Sequence, residues 1–239
     1  MPEKSPKKLV LTVTNHLVSD NRVHKVATTL VGMGFDVTLV GCALPSSPKL
    51  SPRDYSTRRF ALLFNKGFLF YANYNIRLFF YLLYKRFDVV LSNDLDSLMA
   101  GFFASKITRA GLVYDSHEYY TELPELVDRP FVKMTWEKIE SLILPRLTRC
   151  YTVCKSIADI YTQKYKVQFQ VVRNLPHGKT YPEIDEQFSP PFPTSLPVIL
   201  YQGAVNKGRG IEEAILAMHN VENALLVIVG GGDLLQCCK

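Results

Sequence analysis

The chain has 239 residues, 47% of them hydrophobic and 21% charged. That balance argues against disorder and leaves room for one large α/β domain or two modest ones. The formal charge is +6, and no run reaches the roughly 18 apolar residues that a membrane-spanning helix needs.

Residues 1–7 read as a basic tail. Leu9–Thr14 is the first strand, and its apolar patch is too short, and too soon followed by Asn15, His16, Ser19 and Asp20, for a signal peptide. Asp20 or Asn21 caps a helix whose apolar stripe is Val23, Val26, Ala27, Leu30 and Val31, ended by Gly32 and Gly34. Asp36–Val40 is the second strand and Pro45–Tyr55 a Ser- and Pro-rich loop. Phe60–Lys85 reads as helix in two pieces, broken near Gly67 or Asn73. A strand follows at Asp88–Leu91, a helix from Asp96 to about Thr108, and a strand at Leu112–Tyr114. Phe131–Leu144 reads as a helix stopped by Pro145. Cys150–Val153 is a strand, Ser156–Tyr165 a helix and Phe169–Val172 a strand. This alternation predicts a doubly wound parallel sheet with right-handed crossovers.

The segment 49–86 stands apart. It holds eight cations, among them Arg58, Arg59 and Lys66, against the single acid Asp54, so the rest of the chain is close to neutral. A nucleic-acid binder would spread or stripe its charge, so no such partner is expected. Phenylalanines and tyrosines are interleaved with the cations. That pattern suits an anionic membrane surface; it equally suits buried helices with solvated Lys and Arg tips.

Pro176 to Pro197 contains six prolines and reads as a stiff linker. A second βαβ unit follows: strand 198–202, helix 210–219, strand 225–229, then Gly230-Gly231-Gly232. Between its first strand and helix lies a turn with Gly203, Gly208 and Gly210, Lys207 and Arg209. Strand, glycine-rich turn and helix is how α/β proteins present backbone N–H groups to a phosphate, and an Arg fork suits phosphate oxygens. The spacing is neither GxGxxG nor a Walker loop, and a plain turn with solvated cations is the alternative. One βαβ unit leaves a strand edge and a sheet face uncovered, so the expected organisation is residues 1–176 as one domain, a linker at 177–197, and 198–239 as the beginning of a second, incomplete domain.

Ligands of such sheets sit beyond the carboxyl ends of the strands. There the sequence puts Asn15 and His16, Cys42, Asn93 and Asp94, then Asp115, Ser116, His117 and Glu118, then Cys154 and Lys155, and Asn174. Asp115, His117 and Glu118 suit hydrogen bonding to a substrate hydroxyl or transfer of a proton. The alternative is a turn-capping Asp and a surface His. His117-Glu118 lacks the second His of a zinc-protease helix. Asp94-x-Asp96 is common by chance, and Asp96 is well placed as a helix N-cap, so no metal is expected. The odd count of five cysteines, without metal spacing, favours reduced thiols, with Cys150 and Cys154 in the core.

An ordered set of segments resembles the retaining glycosyltransferases of family 4, which have two Rossmann-like domains (the GT-B fold). These are Ser19-Asp20-Asn21-Arg22-Val23 with Gly34 to Thr38; Asp88-Val89-Val90 with Asn93-Asp94; Val113 to Glu118; Val172 to Pro176; and Gly203 to Gly210 with Gly230-Gly231-Gly232. The resemblance implies a metal- and cofactor-independent hexosyl transfer, with retention, from a nucleotide sugar to a glycan or lipid-linked acceptor, in polysaccharide or cell-envelope biosynthesis. It also implies a cytoplasmic chain, peripheral on the inner membrane face. Asp115, His117 and Glu118 become catalytic candidates. Asn15, His16, Asp20, Arg22, Asn93, Asp94 and Asn174 fall on the acceptor side. Gly203, Lys207, Arg209, Gly230, Gly231 and Gly232 fall on the donor side. Ala204 stands where the family often has an Arg, and the family's Glu-x7-Glu motif has no counterpart before Lys239, so the chain resembles a C-terminally truncated member. A non-catalytic binding fragment and a sugar-nucleotide epimerase of the same architecture are the competing readings.

Overall fold

The computed structural model describes residues 5–44, 47–175, 189–193 and 195–235. The chain divides into two compact units, Met1–Leu175 and Pro176–Lys239. The first unit carries a parallel seven-stranded sheet. Its strands are β1 (Lys8–Thr12), β2 (Asp36–Ala43), β3 (Ser56–Ala61), β4 (Val89–Asn93), β5 (Gly111–Ser116), β6 (Cys150–Thr152) and β7 (Phe169–Val171), in the spatial order β3-β2-β1-β4-β5-β6-β7. The order reverses between β1 and β4, the place where a doubly wound sheet opens a crevice.

Alternate residues of the central strands serve two layers, as the period of two requires. Leu9, Leu11, Val37, Leu39 and Leu91 pack against Val23 and Ala27 of α1 (Asn21–Gly32). Val10, Val40 and Val90 pack on the other face against α2 (Gly67–Lys85) and α3 (Leu95–Thr108). A third cluster joins Leu98 of α3 and Tyr114 of β5 to Ile143 of α5 (Pro130–Ile143) and Tyr161 of α6 (Lys155–Tyr165). A short α4 (Pro124–Val127) and a 3-10 turn at Tyr120–Glu122 lie between β5 and α5.

Asp20 caps α1 through its Oδ1, which accepts from Val23 N–H at 3.0 Å. Helix α1 runs through Gly32 and closes with Gly34 at φ +86°, its N–H donating to Val31 O.

Three expectations are corrected. Ser56–Ala61 is a strand, so Phe60 is not helical; five of its six residues point little into the core, which hid the period. Helix α2 is continuous. Gly67 begins it, and Asn73 stays helical while its side-chain oxygen accepts from Leu63 N–H at 3.1 Å. Residue 96 is not a cap: α3 starts at Leu95 and Asp94 is its N-cap residue, without a side-chain capping bond.

The second unit contains β8 (Val198–Gln202) paired in parallel with β9 (Leu225–Val229), and α7 (Ile211–Ala217) between them. The glycine turns after the two strands lie against each other. Gly203 N–H donates to Val229 O at 3.0 Å and Val205 N–H to Gly231 O at 3.0 Å. A Cβ on Gly230 would sit 1.8 Å from Gly203 O, and one on Gly232 2.4 Å from Val205 O, so both positions require glycine for backbone approach.

Candidate functional site

At the β1/β4 reversal lies a cavity of about 530 Å³. Its walls come from the loop after β1, the start of α1, the β4–α3 junction and the end of β5. They include Thr14, Asn15, Asp20, Arg22, Asp94, Asp96, His117, Glu118, Tyr120 and Asn174. A second cavity of about 770 Å³ shares Arg22, His117, Glu118 and Asn174 with the first and continues to Cys154, Lys155 and Arg173.

The loop after β1 is held by its own polar groups. Asn15 Nδ2 donates to Asp20 Oδ2 at 2.7 Å, Leu17 N–H to Asn15 Oδ1 at 2.9 Å, and Val18 N–H to His16 Nδ1 at 3.2 Å. Cys42 N–H donates to Asn15 O at 2.9 Å. A Cβ at Gly41 would stand 2.5 Å from Asn15 O, so β2 must carry glycine there for the loop to cross it.

Arg22 is the centre of the charge arrangement. It forms an ion pair with the fully buried Asp115, and its Nη2 lies 2.9 Å from His117 Nδ1. The same Nδ1 lies 2.6 Å from Asp94 Oδ1, an ion-pair contact in which Asp94 Oδ1 accepts no well-formed hydrogen bond. Only one of these roles holds at a time: a protonated Nδ1 donates to Asp94, and a bare Nδ1 accepts from Arg22. Burial alone would depress the His117 pKa, but the Asp94 carboxylate outweighs burial and the Arg22 charge and raises it. Burial lowers the Arg22 pKa, and its neighbours Asp115 and Asp94 more than restore it. Asp115 is pushed up by burial, against the pull of Arg22.

Asp94 adopts φ +61°, ψ 166°, a region that side-chain-bearing residues seldom occupy, at a cost of about 1–3 kcal/mol. Its N–H donates to Asp115 O at 2.8 Å, which locks the β4 and β5 ends together and aims the Asp94 carboxylate at His117.

One turn on, Asp96 is buried under the cavity. Thr14 Oγ1 donates to its Oδ2, and Asn75 Nδ2 of α2 donates to its backbone oxygen at 2.7 Å. Burial first, then the adjacent Asp94, lift its pKa to about 7. Sequence reasoning singled out neither Thr14, Asn75, Tyr120 nor the burial of Asp96. An Asn on the buried face of an apolar helix was the one available signal.

Arg22, Asp94, Asp115 and His117 are thus brought into mutual contact, and Asn15, Asp20, Glu118 and Asn174 line the same space. Asn93 and His16 do not line it. Asn93 is the fully buried last residue of β4 and ties it to β1, its Nδ2 donating to Thr12 O at 3.2 Å. Asp115 and Ser116 end β5 rather than following it; the apolar run stops at Tyr114, but the ladder continues. Cys42 is buried within β2 and Cys150 within β6, whereas Cys154 is a half-exposed N-cap of α6 and not core. Its thiol is pulled down by the Ser156 hydroxyl, 3.1 Å away, and by the Ile157 N–H. Among the described residues no group of three or more His, Cys, Asp or Glu is arranged to hold a metal ion.

Gly203, Gly230, Gly231 and Gly232, expected on the donor side, cluster in the second unit, with Lys207 and Arg209 exposed on the turn before α7. Glu212 and Glu213 occupy the first turn of that helix.

No curated protein matches the sequence. Among solved structures, sucrose-phosphate synthase from Thermosynechococcus elongatus aligns with TM-score 0.71 and 17% identity, over 95% of this chain and 63% of that one. The lipopolysaccharide outer core galactosyltransferase WaaB aligns with TM-score 0.61 and 15% identity, over 97% and 63%. A putative UDP-N-acetylglucosamine 2-epimerase from Listeria monocytogenes aligns with TM-score 0.55 and 14% identity, over 93% and 62%. At these identities the likeness is one of fold, the Rossmann-like GT-B arrangement, and the chain spans less than two thirds of each structure. The family model Glycosyltransferase Family 4 matches residues 20–178, more than half of the sequence and the whole of the cavity wall from Asp20 to Asn174, and the chain belongs to that family.

Proposed function

We propose that this chain supplies the acceptor-binding domain, residues 1–176, and the opening of the donor-binding domain, residues 198–239, of a glycosyltransferase. The linker expected at 177–197 lies mostly outside the described residues. The reaction moves a hexose from a nucleotide sugar to a hydroxyl of a glycan or lipid-linked acceptor with retention of configuration, in envelope or polysaccharide synthesis at the cytoplasmic membrane face. The observation that carries this reading is the Arg22–Asp115–His117–Asp94 cluster at the strand-order reversal of a family 4 chain. Four ionisable groups held in contact beside a cavity, one of them on strained backbone, are an arrangement that stability alone does not require. His117, with Glu118 beside it, contacts the sugar at the reacting centre. Asp115 and Arg22 fix its orientation. Lys207 and Arg209 supply charge for the donor diphosphate, and the glycine turns let backbone N–H groups approach it.

Calorimetric titration with a panel of uridine- and guanosine-diphosphate sugars tests the proposal. Binding of one donor is expected, weakened about tenfold or more in Arg209→Ala and only partly restored in Arg209→Lys, which keeps charge but loses the fork. Product analysis with that donor separates transfer from epimerisation. Equal affinity of the native chain and Arg209→Ala would remove Arg209 from the site.

We also infer that the 49–86 segment rests on an anionic membrane surface. Its support is the outer face of α2, where Leu69, Ile76, Phe80 and Tyr84 are exposed among Lys66, Arg77 and Lys85. Among the described residues no helix is long and apolar enough to cross a membrane.

A further inference from the structure

The first cavity carries more carboxylates than cationic side chains. Asp20, Asp94, Asp96 and Glu118 face it, against Arg22 and His117, and Arg22 is already engaged by Asp115 behind the wall. Two of these carboxylates, and Asp115 behind the wall, have a partner within the protein. Asp20 accepts from Asn15 and from Val23 N–H, Asp94 faces His117, and Asp115 holds Arg22. Asp96 has no cationic side chain against it: one oxygen takes the Thr14 hydroxyl, while Oδ1, like Asp94 Oδ1 and Asp115 Oδ1, accepts no well-formed hydrogen bond.

A buried carboxylate with an unanswered oxygen is costly, and at a cavity wall a ligand hydroxyl can answer it. Its position is also fixed from two sides. Asn75 of α2 holds its backbone oxygen at 2.7 Å, and the same Asn75 accepts from Ala100 N–H at 3.2 Å, so the first turn of α3 cannot drift from the cavity. Thr14 holds the side chain from the β1 side. The complement of such a wall is a ligand that brings donors, and a polyol brings one with every hydroxyl.

We propose that Asp96 is the residue that receives a hydroxyl of the sugar acceptor, with Thr14 and Asn75 as its positioning residues. This rests on reading the cavity as the acceptor site and adds to it a specific contact. Asp96 here binds and orients the hydroxyl; no proton transfer to it is required.

Ligand-observed NMR with the full chain and three probes, the methyl pyranosides of glucose, galactose and mannose, tests this. The native chain is expected to bind at least one. At pH 8, where the Asp96 carboxyl is ionised, Asp96→Asn, which keeps the shape but loses a charged acceptor, should weaken that binding at least tenfold, and Thr14→Val should weaken it less. Asp54→Asn, removing an exposed acid outside the cavity, should leave it unchanged. If Asp96→Asn binds the same probe as well as the native chain, Asp96 is not the contact, while the acceptor-site reading survives. If none of the three probes binds the native chain, the cavity is not a polyol site and both readings fall.

Discussion

Placing a carboxylate beside another carboxylate and away from water favours its neutral form, and Asp96 shows both causes at once. The sign of its effect on stability follows. Its pKa is 3.8 as a free side chain and about 7 when folded, so the folded chain holds the proton more tightly than the unfolded one. Stability is then full below about pH 4 and falls as pH rises to about 7, by roughly 4 kcal/mol at most for this group. The raised pKa values of Asp115, Glu140 and His117 push in the same direction. Comparing the native chain with Asp96→Asn isolates the part of the pH dependence that requires the Asp96 carboxyl. Chemical denaturation between pH 4.5 and 8 should show a steep decline for the native protein and a flatter one for Asp96→Asn, which becomes the more stable of the two at pH 8. Parallel pH profiles would mean that Asp96 ionises normally in the fold. A variant that gains stability while losing ligand is the expected signature of a residue kept for binding rather than for folding.

At the scale of elements, the alternation of strands and helices was legible because the central strands are continuous apolar runs and α1 has a clean stripe between Asp20 and Gly34. Two features were not. Strand β3, Ser-Thr-Arg-Arg-Phe-Ala, lies at the sheet edge and buries only Phe60, so it offers no period to read. The cluster of Arg22 with Asp115 and His117 joins residues more than ninety positions apart; sequence reasoning can name the ends of strands but not which side chains meet there. Helix α2 divides the aromatic, basic segment into two faces. Phe70, Tyr74, Leu78 and Leu82 are core, while Leu69, Ile76 and Phe80 form an outer stripe with cations at both ends. The buried face fits the core-helix reading, and the membrane reading rests on the outer stripe alone. If the outer stripe meets a membrane, the chain should cosediment with vesicles containing anionic lipid and be released by salt. Replacing Lys66, Arg77 and Lys85 with Gln should weaken binding by about 1 kcal/mol per cation. Ile76→Ser and Phe80→Ser should weaken it further without unfolding the chain, because both side chains are already exposed. Binding indifferent to salt and to all five changes would leave α2 as a core helix with an apolar back.

The whole molecule joins two units of very different self-sufficiency. In the first, β1 and β4 have a hydrogen-bonded neighbour on each edge and a packed layer on each face. In the second, among the described residues, β8 and β9 pair only with each other. Val205 and Ile211 are its buried apolar residues among those described, while Ile199 and Leu200 in the middle of β8 are 45% and 60% exposed. A two-stranded sheet with so little apolar burial is marginal in water, because ordering each residue costs about 1–2 kcal/mol that burial must offset. The two units should therefore open at different free energies rather than in one cooperative transition. Hydrogen exchange read by mass spectrometry should show amides of 198–202 and 225–229 exchanging by an opening well below the global one. Those of 9–12 and 89–93 should exchange only with global unfolding. Adding a nucleotide sugar that binds the second unit should slow the first set and leave the second unchanged, since a ligand stabilises the state it binds. Equal protection of all four strands in the free chain would show that the second unit is held by more than its own two strands and helix, and would make the chain a single cooperative body.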